Sequence, residues 1–159
     1  MAIERPDAFK ALMQLAPFAG YHIIKHPKQE VAETIYKFYP KVALSPALAN
    51  HAPHMVHYYD DPLQVTAGST AASIVALGEC MKIITANIDK LTTDMHVTIG
   101  DEEKVVSRVA CQHITKEAPA EIKEYYEWPG IDHYLLNNGI YIEDIVNNQL
   151  EFLTKIVEN

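Results

Sequence analysis

A chain of 159 residues is most simply one domain with room for a real core, and 48% hydrophobic with 21% charged residues is ordinary for a globular protein in water. Its 13 basic against 21 acidic residues give a net charge of −8 without any Lys/Arg cluster, so nucleic acid and anionic membranes are excluded as natural partners. No apolar run reaches the roughly 18 residues of a membrane span, and the first residues lack the basic-then-apolar pattern of a signal peptide. A cytoplasmic location is therefore the default expectation. Cys80 and Cys111, both in apolar contexts, read as free thiols of a reducing compartment.

In chain order, residues 7–25 hold the first helical candidate. Phe9, Leu12, Met13, Leu15 and Ala16 fall near helical spacing until Pro17 interrupts, and residues 18–24 form apolar cover, helical or irregular. A clearer helix starts after Pro27, with Val31, Ile35 and Phe38 on one face and a break at Pro40. Ser45-Pro46 has the form of an N-cap with proline in the first turn, which predicts a short helix to about Asn50. Residues 55–59 are the first strand candidate, stopped by Asp60-Asp61-Pro62. Gly68-Ser69-Thr70 then caps a helix over residues 71–85, where Ile74, Leu77, Met81 and Ile84 recur near the helical period.

From Asn87 the character changes. Residues 91–99, 105–115, 131–136 and 140–156 favour strands, and residues 121–128 suit a further strand or a helix. Trp128 to Ile145 reads as a β-hairpin about Asn137-Asn138-Gly139, with Ile131, His133 and Leu135 on one face and Asp132, Tyr134 and Leu136 on the other. Helices first and a meander of long antiparallel strands afterwards make an α+β chain whose helices cover one face of a curved sheet.

Two carboxylates stand out. Asp132 is flanked by apolar and aromatic residues, and Asp61 shares a strand face with His57 and Tyr59. A carboxyl group in an apolar pocket keeps its proton near neutral pH and can donate a hydrogen bond, while a more solvated one stays ionised and can accept a proton. The plainer alternative has Asp61 capping a turn and Asp132 pairing with a surface lysine. His51, His54 and His57 have a spacing at which imidazoles share zinc, but Pro53 breaks the segment, and one pocket histidine, His57, with two rim histidines is the preferred reading. Cys111 and His113 alternate on one strand face without an orienting third group, which leaves a thiol nucleophile unsupported. Tyr59, Trp128 and Tyr134, among other aromatics, suit either an apolar ligand cavity or ordinary core packing.

The order of elements over residues 28–156 resembles the cone-shaped α+β fold of the nuclear-transport-factor-2-like superfamily, with its SnoaL-like polyketide cyclases, scytalone dehydratase and ketosteroid isomerases. Residues 1–27 would be an N-terminal extension forming helical cover, and residues 28–159 the SnoaL-like domain. The most specific pieces are Asp60-Asp61-Pro62 after the first strand and Pro129-x-Ile131-Asp132-His133-Tyr134. That resemblance implies Asp61 as general base and protonated Asp132, with Tyr36 or Tyr39, as donor to an enolate oxygen. It implies no cofactor, a small apolar ligand and a homodimer formed through the sheet. The activity implied is isomerisation, cyclisation or dehydration of a small carbonyl or hydroxylated compound. The alternative is a non-catalytic ligand-binding or dimerising module of the same fold.

Overall fold

The computed structural model describes residues 2–19, 29–44, 69–137 and 139–158. The chain divides into two compact units, residues 1–24 with 81–159, and residues 25–80.

The larger unit is built on a three-stranded sheet in the order β1 (Ala11–Leu15), β2 (Asp94–Gly100) and β3 (Lys123–Trp128). Both strand pairs are parallel, with Leu12 opposite Met95 and Val97 opposite Tyr125. Met95 to Gly100 are all buried, as the central strand of a parallel sheet covered on both faces requires. Alternation along β2 sends His96 towards one face, where its ring lies 5.4 Å from that of Phe152 in helix α4 (Ile142–Glu158). Val97 belongs instead to the cluster that holds Cys111 of helix α3 (Arg108–Glu117). Helix α3 is the crossover that two neighbouring parallel strands need.

The helices have local causes. Ser107 caps α3, its Oγ accepting from Ala110 N at 3.2 Å. Cys111 and Thr115 are buried, with Ile114 half-buried between them, so one helical face is turned inward. In α4 the buried Ile145 and Phe152 stand seven residues apart, Asn148, Gln149 and Ile156 fill the same stripe, and Glu143 and Asp144 occupy the first turn, where the helix dipole favours negative charge.

The smaller unit contains α1 (Gln29–Tyr36) and the start of α2 (Ala71–Ala86), the latter close to the span expected from the sequence. Its core is Ala32, Ala71 and Ile74, joined by Ile35, Leu44 and Val75. Thr70 ends an antiparallel bridge to Ala43 and caps α2 by accepting from Ser73 N at 3.2 Å.

This architecture overturns the expected α+β fold with a cone of antiparallel strands. Residues 105–115 and 140–156, rich in β-branched side chains, are largely the helices α3 and α4. Their apolar residues recur at three and four positions, and that period outweighs strand propensity. Residues 131–136 are not a hairpin strand; turns run through them, and Gly130 has a positive φ of 68°. The first segment is a 3-10 turn, Pro6–Ala8, followed by β1, instead of a helix. The helix expected from Ser45 and the strand over residues 55–59 lie outside the described residues. No helix among the described residues is long and apolar enough to cross a membrane.

Candidate active site

Strands β2 and β3 are parallel neighbours, so their C-terminal ends emerge side by side, the position at which parallel sheets gather functional loops. The loop after β2 is Asp101-Glu102-Glu103, and the loop after β3 runs from Pro129 to Leu135. Backbone bonds lace the two together. Asp101 N donates to Trp128 O at 3.0 Å and Glu102 N to Ile131 O at 2.9 Å. Asp101 Oδ1 accepts from Gly130 N at 2.7 Å. Ile131 and Leu135 are buried in the main core cluster and pin the second loop to the body of the unit.

Glu103 and His133 meet where the loops join. Glu103 Oε2 accepts from His133 Nδ1 at 2.7 Å, while Oε1 accepts from Val105 N at 2.5 Å and Val106 N at 3.1 Å. The Glu103 side chain is wholly buried and that of His133 is 26% exposed. Burial pushes the Glu103 carboxyl upward. The His133 hydrogen bond, the two backbone N–H groups and the His133 charge outweigh it and hold the group below its ordinary value. An ionised carboxylate at Nδ1 places the proton of the neutral imidazole on that nitrogen and the lone pair on Nε2. Nε2 has no hydrogen-bond partner among the described residues. Such a histidine, oriented from behind by a buried acid, has the geometry of a general base.

The residues singled out from the sequence fall in several places. Asp61, His57 and Tyr59 lie outside the described residues. Tyr36 and Tyr39, 45% and 70% exposed, stand at the end of α1 and just beyond it. Asp132 is half-buried, and its Oδ1 accepts from Tyr134 N at 2.9 Å, the local turn bond typical of Asx residues. Tyr134 presents its ring edge-on to that of His133, with centroids 5.4 Å apart. Trp128 packs on Tyr141, and its buried indole N–H has no hydrogen-bond partner among the described residues. Thus Asp132 and Tyr134 flank His133 on one loop, and the residue between them makes the long-range contact.

Sequence reasoning gave Glu103 and His133 no role. A usable signal was present: an acid three residues past the glycine that ends a strand-favouring run, and a histidine three residues past the Pro-Gly that follows the next. Among the described residues, neither a thiol nor a serine is bonded to the pair. Burial pushes the Cys111 thiol up to about 11, and it donates to Pro17 O at 3.3 Å, so it is a protonated core group. It lines an apolar cavity of about 280 Å³ with Leu12, Phe18, Val97 and Ile114. The chain has four serines, none in a Gly-x-Ser-x-Gly setting, and Ser107 is engaged as the α3 cap.

The family model described as serine aminopeptidase, S33, matches residues 1–139. No curated protein matches the chain. Among solved structures, a monoacylglycerol lipase from Paleococcus ferrophilus superposes with a TM-score of 0.78 at 18% identity, over 98% of this chain and 62% of that one. A soluble variant of monoglyceride lipase from Saccharomyces cerevisiae, in complex with a substrate analog, gives 0.76 at 16% identity, over 96% and 55%. A thermophilic esterase from Thermogutta terrifontis gives 0.62 at 15%, over 98% and 59%. The chain thus spans 55–62% of the length of these three structures, and the likeness establishes an α/β-hydrolase fold. These matches replace the nuclear-transport-factor-2-like resemblance, and with it the isomerase, cyclase or dehydratase chemistry it implied.

Proposed function

The chain belongs to the serine aminopeptidase S33 family, and from that premise we propose that Glu103 and His133 are the acid and the base of a serine hydrolase acting on carboxylic esters. The observation that carries the reading is the 2.7 Å bond from His133 Nδ1 to a buried, ionised Glu103 at the ends of two parallel strands. In α/β-hydrolases the partners of the nucleophile follow it in the order acid, then histidine, and the acid is Asp or Glu. Residues 103 and 133 keep that order. Esters are the substrate class because the similar structures are named as lipases and an esterase.

In this reading the nucleophilic serine comes from sequence outside these 159 residues. His133 Nε2 takes the proton of the serine hydroxyl as its oxygen attacks the ester carbonyl, and then hands that proton to the leaving alcohol. The resulting acyl-enzyme is opened by water, which His133 deprotonates in the same way; the proton returns to the serine as the carboxylic acid departs. Glu103 keeps its charge throughout, fixes the tautomer and stabilises the imidazolium.

Hydrolysis of p-nitrophenyl butyrate by the protein carrying its nucleophile tests the proposal. His133→Ala should lower kcat by roughly a million-fold, and Glu103→Gln by about 10⁴-fold. Turnover unchanged in either variant would remove the reading.

A further inference from the structure

We propose that Gly100 and Asp101 are positioning residues that seat the His133 loop on the Glu103 loop, a proposal resting on the reading of Glu103 and His133 as acid and base. Gly100 is the last residue of β2 and is buried. A Cβ built there would overlap the carbonyl oxygen of Ile131 and stand 2.6 Å from its carbonyl carbon and 2.7 Å from the carbonyl oxygen of Asp132. All of these are backbone atoms, which cannot turn aside as a side-chain tip can, and they belong to the two residues immediately before His133. The loop therefore lies directly on the strand end, in space that only glycine leaves open.

Asp101 reinforces the seat from the exposed side. Its carboxylate accepts from Gly130 N at 2.7 Å, and its own N–H donates to Trp128 O at 3.0 Å. Position 130, with its φ of +68°, is the bend that turns the chain back toward Gly100. Strand end, carboxylate and bend together leave the His133 loop one resting place. A methyl group at position 100 would stand 2.0 Å from the Ile131 carbonyl oxygen and must push the two backbones apart by about an ångström or more. The 2.7 Å bond between Nδ1 and Oε2 has little slack before it ceases to be a hydrogen bond.

The test reads the pair directly and needs no nucleophile. Carbon-13 NMR follows the Glu103 carboxyl through a pH titration, and proton NMR follows the low-field Nδ1–H signal of His133. In Gly100→Ala the low-field proton should be lost and Glu103 should titrate at higher pH, because burial is no longer offset by the imidazole. Asp101→Ala should move both signals in the same direction by less. A folded Gly100→Ala protein with a lowered Tm but both signals in place would show a merely structural role and overturn the proposal. If Gly100→Ala does not fold, Asp101→Ala decides, and unchanged signals there overturn it. The two readings fail separately: displaced signals in Gly100→Ala with full esterase activity in Glu103→Gln would leave the positioning intact and end the assignment as a hydrolase dyad.

Discussion

Three hydrogen bonds converge on the carboxylate of Glu103, and all three reward its charged form. Because the folded-state value lies below the unfolded one, the stabilisation is present above the ordinary carboxylate range and is lost as pH falls through the lowered value. Urea midpoints should therefore decline as acidification carries the solution below the ordinary carboxylate range and through the lowered value of Glu103. Glu103→Gln should flatten that decline and lower stability at neutral pH by about 1–3 kcal/mol, since its amide cannot accept from three donors as a charge does. Midpoints that fall as steeply in the variant as in the parent would refute this account of the carboxylate. Asp132, one residue from the imidazole, contrasts with it. Its side chain serves its own turn, and its apolar neighbours in sequence do not amount to an apolar pocket.

Helix α3 begins where Ser107 Oγ meets Ala110 N, one of the first-turn donors that have no partner within a helix. Ser107→Ala should cost about 1 kcal/mol, seen as a fall in Tm of about 2–4 °C, whereas Ser107→Asp, which restores an acceptor, should recover most of it. A Tm unchanged in Ser107→Ala would remove the cap from the account. The elements also show what the sequence made legible. The period of α2 was read as a helix and residues 91–99 as a strand, although in an antiparallel sheet, whereas β2 (Asp94–Gly100) pairs parallel to both neighbours. Helices α3 and α4 were not recognised, because Val105, Val106, Ile114, Ile140, Tyr141 and Ile142 carry strong strand propensity in single residues. Their helical identity lies in the spacing of Cys111 with Ile114 and Ala118, and of Ile145 with Phe152. Once those two stretches pass for strands, the sheet becomes antiparallel by arithmetic. The site was hidden for a related reason: Glu103 was read as part of a connection and His133 as one step in an alternating strand, although each sits just past the end of one.

At the scale of the molecule, β1 has a strand neighbour on one side only among the described residues, and Met13 and Leu15 are 45% and 38% exposed. An unpaired edge with apolar side chains invites further strand pairing. Met13→Lys should raise the concentration at which light scattering sets in without lowering Tm appreciably; equal scattering would show that this edge does not drive association. The pairing of β3 with β2 has a consequence of another kind. Gly100 lies opposite Trp128, and a slip of one residue would carry the imidazole about 3.3 Å along the sheet, farther than the whole length of its bond to the acid. The bond between His133 and Glu103 then becomes a gauge of correct strand alignment. A molecule folded one notch out of step would also turn every β3 side chain to the opposite face and draw Ile131 and Leu135 out of the core they pin, so register and packing fail together.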